Sequence, residues 1–170
     1  MKLTAEQVIA ALRLEPHPVE GGFFRETYRS MAVLPKSALP DHPDSRSAGT
    51  AIYYLLTPKT VSAMHNLPGD EVFHFYLGDP VRMLQLWPDG STKEVLLGSD
   101  ILGGQHPQLV VPAGVWQGSH LEEGGSFALL GATMAPGFDY ADYVQGYFAP
   151  LSDRWPMANA IRLRKLTPSG

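Results

Sequence analysis

The chain has 170 residues, of which 44% are hydrophobic, and it carries a formal net charge of -4 with no Cys. This charge, with no concentrated basic stretch, argues against nucleic acid as a partner. No apolar run approaches the roughly 18 residues of a membrane helix, so we expect no membrane partner and no cleaved signal. The absence of Cys excludes disulfides and thiolate ligands, and we expect a cytoplasmic protein.

The first predicted element is a short helix over residues 4–14. Thr4 and Gln7 have the spacing of a capping box, and apolar residues recur at the helical period from Val8 to Leu12. The two prolines that follow end the helix, because proline removes a backbone donor and restricts the residue before it.

Residues 20–29 predict a strand with polar and aromatic side chains on both faces. The alternation puts Phe23, Arg25 and Thr27 on one face and Phe24, Glu26 and Tyr28 on the other. So many charges indicate either an exposed edge strand or one wall of a polar pocket. The proline-rich residues 35–49 predict a mobile loop, which leaves open a role as a lid.

From Thr50 onward, short strand candidates alternate with turns rich in Gly and Pro. They are residues 50–56, 61–65, 71–77, 81–87, 93–97, 108–111, 115–120 and 126–133. This spacing, without a βαβ pattern, predicts an all-β antiparallel sandwich or barrel, with a jelly roll as the preferred topology. Residues 151–166 predict helix with a break at Pro156. Because no linker divides the chain, we expect a single domain over residues 1–170.

The segment from His65 to Gly78 concentrates the residues that can do chemistry. A polar loop leads into a strand in which Glu71 shares a face with Phe73, while His74 faces the other way. A carboxylate among aromatic side chains needs a partner, because burying it unpaired is costly. His65 lies close upstream in a segment that leads into a neighbouring strand. His65 and Glu71 therefore form the first candidate site.

This segment, together with residues 112–117, resembles the two signature motifs of the cupin superfamily. The matching residues are His65, Glu71 and Gly78 in the first motif and Pro112 and Gly114 in the second. The resemblance implies a cupin-type antiparallel jelly roll with short terminal helices. More narrowly, residues 20–30, 110–117 and 135–139 look like the cupin subgroup described as predicted sugar epimerases.

The sequence departs from the cupin pattern at two metal-ligand positions. The usual centre holds a divalent metal with three His and one Glu, whereas this chain has Leu67 and Gln117 at two of the His positions. We therefore expect no metal or other cofactor. If a divalent metal is bound, the remaining ligands are His65, Glu71 and Gln117.

The resemblance implies a metal-independent sugar or nucleotide-sugar epimerase that works by proton transfer. His65 is the candidate base, since the pKa of an imidazole lies near neutrality, and Glu71 orients or tunes it. The candidate acids are Tyr28, Tyr53 and Tyr140.

Further side chains are candidates for binding the ligand. They are Phe23, Arg25, Thr27, His74, Trp116, Gln117 and Asp139. A guanidinium such as that of Arg25 suits a phosphate or carboxylate, and aromatic rings suit stacking on a sugar or base. The other histidines, at positions 17, 42, 106 and 120, are interpreted as surface residues.

Two other functions remain open at this stage. One is a non-catalytic module that binds a small molecule in the same pocket, and the other is a metal-dependent oxygenase or isomerase with an atypical ligand set. The expected partners are a small polar molecule and a second copy of the chain, since cupin resemblance and the prevalence of twofold oligomers both favour a homodimer.

Overall fold

The computed structural model describes residues 3–168, in which two antiparallel sheets face each other. The helices are α1 (Ala5–Leu12), α2 (Phe148–Arg154) and α3 (Ala160–Leu166). The strands are β1 (Glu15–Pro16), β2 (Phe23–Arg29), β3 (Val33–Leu34), β4 (Arg46–Ser47), β5 (Thr50–Leu56), β6 (Val61–Asn66), β7 (Glu71–Gly78), β8 (Val81–Leu86), β9 (Thr92–Leu97), β10 (Gln108–Val111), β11 (Trp116–Leu121), β12 (Ala128–Met134) and β13 (Val144–Gln145).

The first sheet has the strand order β1-β2-β5-β12-β7-β10, and the second has the order β13-β6-β11-β8-β9. Strands β3 and β4 form a separate two-stranded ribbon. Neighbours in the two large sheets run antiparallel and many are distant in sequence, as a jelly roll requires. The predicted all-β antiparallel jelly roll with short terminal helices is therefore confirmed.

The largest cluster of the apolar core lies between the two sheets. Tyr54 and Leu56 of β5 and Phe73 of β7 pack there against Met83 of β8 and Val111 of β10. Alternate residues on the same strands point outward, and these are also apolar where helices cover the sheets. This explains why several strands are hydrophobic on both faces.

The helices cover the outer faces of the sheets. In α1, Thr4 caps the helix and Gln7 bonds back to it, so the predicted capping box is confirmed. Val8 of this helix packs on Leu55 and Leu129 of the first sheet. Helices α2 and α3 pack in the same way on the second sheet. Among residues 3–168, none of the helices has the length and apolar character needed to cross a membrane.

Part of the predicted loop over residues 35–49 is anchored to the rest of the fold. Arg46 of β4 is buried, and its Nη2 lies 2.6 Å from Oδ1 of Asp142, which is also buried. This ion pair ties the segment to the 3₁₀ turn Tyr140–Asp142. No residue of 35–49 lines the cavity described below.

Candidate functional site

A cavity of about 380 Å³ opens between the two sheets. This volume lies in the range of roughly 300–1,000 Å³ that is typical of small-molecule sites. Its apolar wall is formed by Phe24, Ile52, Leu67, Ala132, Met134 and Phe138. Charged and polar side chains complete the wall, and most of them belong to β2, β6, β7 and the turn that begins at Asp139.

Two buried side chains from opposite sheets meet at the floor of the cavity. His65 is the last but one residue of β6 in the second sheet, and Glu71 begins β7 in the first. The Nε2 atom of His65 and the Oε2 atom of Glu71 lie 3.9 Å apart. Gln117 lies on β11 directly opposite His65 of the neighbouring β6. The Nε2 of Gln117 donates a 2.6 Å hydrogen bond to Oε2 of Glu71. The structure thus brings together three residues that the sequence singled out.

The motif glycines and loops explain how these side chains converge. Gly78 has a φ of 106°, and a Cβ there would overlap the carbonyl oxygen of Phe127, so only glycine fits at the end of β7. Gly114 has a φ of 80°, and its N–H donates a 2.9 Å hydrogen bond to the carbonyl of Leu67. This bond joins the loops of the two motifs, and Asp70 strengthens it by accepting from the N–H of Ala113 at 2.8 Å.

His65 carries a charge although it is only 1% exposed. Burial alone would lower its pKa, but the carboxylates of Glu20 and Glu71 and the bond to the Ala63 carbonyl outweigh burial and raise the pKa to about 9. The Nδ1–H donates to the carbonyl of Ala63 at 2.7 Å, which leaves the Nε2–H directed at Glu71. His65 is therefore an imidazolium at neutral pH.

A second histidine, His17, lines the cavity in a different protonation state. Its Nδ1 accepts a 2.9 Å hydrogen bond from the backbone N–H of Glu20, and burial lowers its pKa. The ring is thus neutral, with its proton on Nε2. The interpretation of this residue as a surface histidine was wrong, and His42 and His120 are buried as well, whereas His106 is exposed.

The face of β2 that lines the cavity is the one opposite to Phe23, Arg25 and Thr27, which were predicted to bind the ligand. Phe24 and Glu26 line the cavity, and a bulge between Glu26 and Tyr28 brings Arg29 to the same side. Arg29 donates to both carboxylate oxygens of Glu26, at 3.0 and 2.7 Å, and to the carbonyl of Phe138 at 3.1 Å. Sequence alternation defines two faces of a strand but does not say which one faces inward.

Several other predicted site residues lie away from the cavity. Phe23 packs beneath α1, and the Arg25 guanidinium lies 5.7 Å from the ring centre of Tyr53 on the outer face of the first sheet. Thr27 donates to the Ala51 carbonyl, and Tyr28 is exposed. His74 forms a hydrogen bond with Thr133, and Trp116 packs against the apolar cluster beneath α2 and α3. Tyr140 and Asp139 do line the cavity, and Asp139 also caps its own 3₁₀ turn.

The side chains at the floor do not fit the usual cupin metal centre. Leu67, 3% exposed, presents hydrocarbon to the cavity where the pattern has an imidazole. Gln117 directs its amide nitrogen, which is a donor, at Glu71. Within the described part of the chain, no three His, Asp or Glu residues are grouped so as to hold a metal ion. The expectation that the protein works without a cofactor stays a prediction.

A jelly roll with a cavity between its sheets, built from the two motifs that carry His65 and Gln117, defines a cupin. Residues 6–145 match the family described as "Cupin superfamily (DUF985)". The chain belongs to this family.

Known relatives extend over nearly the whole chain. The chain is 31% identical over 147 residues to the uncharacterized protein YML079W of Saccharomyces cerevisiae, with 81% of this chain and 73% of the yeast protein covered. A hypothetical protein from Leishmania major has 30% identity and a TM-score of 0.87, covering 98% of this chain and 100% of its own. Protein SO0799 from Shewanella oneidensis has 32% identity and a TM-score of 0.86, with 99% and 100% covered.

Likeness to a more distant protein shows the fold alone. A mutant of Bacillus subtilis oxalate decarboxylase matches with a TM-score of 0.53 and 14% identity, covering 92% of this chain and 41% of the decarboxylase. Fold similarity at this identity does not transfer an activity, because the site and not the fold determines the chemistry.

Proposed function

We propose that this cupin is a metal-independent epimerase or isomerase that moves a proton on a small, sugar-like molecule bound in the cavity. One observation carries the proposal: an imidazolium and a carboxylate from opposite sheets lie 3.9 Å apart at the floor of a cavity of small-molecule size. General acid–base catalysis needs one group that donates a proton and another that accepts one, and this pair supplies both.

The charge of His65 assigns the roles within the pair. An imidazolium with a pKa of about 9 donates a proton to, or stabilises charge on, a carbonyl oxygen of the bound molecule. The Glu71 carboxylate then removes the proton from the neighbouring carbon. An acid returns a proton to that carbon on its opposite face, which completes an epimerisation, and Glu71 releases its proton to solvent. The sequence suggested His65 as the base with Glu71 orienting or tuning it, whereas in this proposal Glu71 is the base and His65 is the cation that assists it.

Tyr140 is the candidate for returning the proton to the carbon. It lines the cavity and is 47% exposed, and burial together with Glu20 and Glu26 raises its pKa. The hydroxyl therefore stays protonated at neutral pH and is available as an acid.

The wall of the cavity favours a free sugar over a nucleotide sugar. Diphosphate groups are bound by unengaged Arg or Lys side chains or by backbone N–H groups at a helix start. Arg29 is the one Arg or Lys among the described residues that line the cavity, and Glu26 already engages it through two hydrogen bonds. The apolar wall suits the C–H face of a sugar ring.

Solvent-proton exchange tests the proposal directly. The protein is incubated in D₂O with a panel of aldoses and ketoses, and NMR follows deuterium at carbons next to the carbonyl. We expect exchange with the native chain and at least a roughly 100-fold loss in His65→Gln and Glu71→Gln. His74→Gln is the matched control, because His74 lies on the same strand as Glu71 but on its outer face.

Two outcomes would contradict the proposal. Sugar binding without any exchange would identify a non-catalytic binding module. Exchange that depends on an added divalent metal would identify the metal-dependent alternative.

A further inference from the structure

The charges on the cavity wall are unbalanced. Four carboxylates line it, those of Glu20, Glu26, Glu71 and Asp139, against two cations, the Arg29 guanidinium and the His65 imidazolium. Arg29 is engaged by Glu26 through two hydrogen bonds, and His65 is buried against Glu71. Glu20 accepts a hydrogen bond from Oγ of Ser62 and helps to raise the pKa of His65, and Asp139 accepts from the N–H of Ala141. Among the described residues, neither carboxylate forms a salt bridge with an Arg or Lys.

The negative charge of the cavity raises the pKa values of neighbouring tyrosine and histidine side chains. Burial is the largest cause that raises the pKa of Tyr140 and Tyr143, and the Glu20 carboxylate is the next. The same carboxylate helps to raise the pKa of His65. Negative potential in a cleft with low-dielectric walls concentrates cations and repels anions.

Aromatic rings lie beside the carboxylates. The ring centres of His17 and Phe24 are 4.6 Å apart, those of Phe138 and Tyr140 are 5.1 Å apart, and His17 joins the two pairs at 6.0 Å from Tyr140. All four rings line the cavity. Aromatic faces attract ammonium groups, and they do so more strongly in a desolvated site.

Two polar atoms of largely buried residues in the cavity wall have no protein partner among the described residues. Glu71 is 9% exposed, and its Oε2 accepts from Gln117 while its Oε1 makes no hydrogen bond. His17 is also 9% exposed, and its Nε2–H has no acceptor. Neither atom is among the fully buried unpaired atoms of the described residues; both residues line the cavity, so a ligand there that supplies both donors and acceptors can pair with each atom.

We infer that the cavity selects a small polyhydroxy molecule that carries an ammonium group, as an amino sugar does, over its neutral and anionic counterparts. The ammonium group lies by the Glu20 and Asp139 carboxylates and the aromatic rings, and hydroxyl groups satisfy His17 and Glu71. The inference rests on the proposed function in using the same cavity, but it concerns binding and requires no proton transfer.

Three hexoses that differ in charge test the inference. Calorimetry measures binding of glucosamine, glucose and glucuronate to the full chain at low salt and at a pH where the amine is charged. We expect glucosamine to bind at least about 10-fold tighter than glucose, with glucuronate weakest, and added salt to reduce the difference. Equal or tighter binding of glucose or glucuronate, or no binding of any of the three, would overturn the inference.

Matched variants locate the source of the selectivity. Glu20→Gln and Asp139→Asn keep the shape of each side chain and remove its charge, so each should reduce the preference for glucosamine over glucose by at least about 3-fold. Glu123→Gln, at an exposed position outside the cavity wall, should leave the preference unchanged. An unchanged preference in both cavity variants, each checked for folding by circular dichroism, would overturn the inference.

The inference and the proposed function can fail separately. Proton exchange on neutral sugars with no preference for an amine contradicts the inference alone. Selective glucosamine binding with no exchange on any sugar supports the inference and contradicts the proposed function.

Discussion

At the scale of single residues, the site depends on how burial and neighbouring carboxylates divide protons between two histidines. His65 has two nearby carboxylates that outweigh the cost of burial, and its pKa is about 9. In His17 burial outweighs the Glu20 carboxylate, and its pKa is lowered. One cavity therefore holds an imidazolium and a neutral imidazole at the same pH.

The raised pKa of His65 predicts a specific dependence of stability on pH. Its contribution to folding is fully present below the unfolded pKa of 6.5 and is lost as the pH rises through about 9. Between about pH 6 and about pH 9.5 the native chain should therefore lose about 3 kcal/mol of unfolding free energy relative to His65→Gln. Urea denaturation at both pH values measures this difference. The exposed His106→Gln variant should stay parallel to the native chain, and a parallel course for His65→Gln would contradict the assignment.

Two substitutions should complete the usual cupin ligand set at the floor of the cavity. Leu67→His and Gln117→His together give three imidazoles beside Glu71, the ligand set typical of cupin metal sites. We expect the double variant to bind about one nickel or manganese ion per chain, as measured by elemental analysis after dialysis. The native chain and the single variant Leu67→His should retain much less. Stoichiometric metal in the native chain would show that its donor set is sufficient.

At the scale of secondary-structure elements, alternation along a strand predicts which residues share a face, but it does not always show which face points inward. In β7 the alternation separates Glu71 and Phe73 from His74 correctly, because the aromatic core identifies the inner face. In β2 both faces are mixed, and the bulge after Glu26 changes the phase of the strand. A bulge is set by pairing with the neighbouring strand, so the sequence of β2 alone does not indicate that Arg29 faces the cavity.

The segment that contains β4 is held by a buried ion pair, which gives a test at this scale. Asp142→Asn leaves the Arg46 guanidinium buried without its counter-charge, so we expect a loss of about 3–5 kcal/mol in unfolding free energy. Glu26→Gln breaks an exposed ion pair and should cost less than about 1 kcal/mol. Urea denaturation compares the two variants. Equal losses would show that the buried pair does not anchor the segment.

At the scale of the whole molecule, the spacing of short strands and turns predicted an antiparallel sandwich or barrel with a jelly roll preferred, and the resemblance to the cupin motifs implied the cupin type of jelly roll. Spacing along the chain identifies strands and turns, and antiparallel pairing follows from the absence of crossover helices. The composition of the cavity could be predicted only in part. His65, Glu71 and Gln117 lie in recognisable motifs. His17 and Glu20 lie in the irregular segment between β1 and β2, and no local pattern in the sequence indicates that this segment contacts the cavity.

The homodimer stays a prediction, and sedimentation velocity tests it. We expect a species of twice the chain mass of 18.6 kDa. Val110 and Tyr76 are each 50% exposed on or near the edge of the first sheet, so Val110→Arg should weaken association. Ile161→Arg on α3, at a position that is 86% exposed, is the control. A native species of single-chain mass at micromolar concentration would contradict the prediction.

The chemistry of the cavity floor depends on His65 being a cation beside the Glu20 and Glu71 carboxylates. Side-chain ¹⁵N NMR of the histidines across a pH titration measures this most directly. We expect both ring nitrogens of His65 to carry protons at neutral pH and to titrate near pH 9, while His17 stays neutral with its proton on Nε2. A neutral His65 ring at pH 7, or titration at or below the ordinary value of 6.5, would contradict the claim.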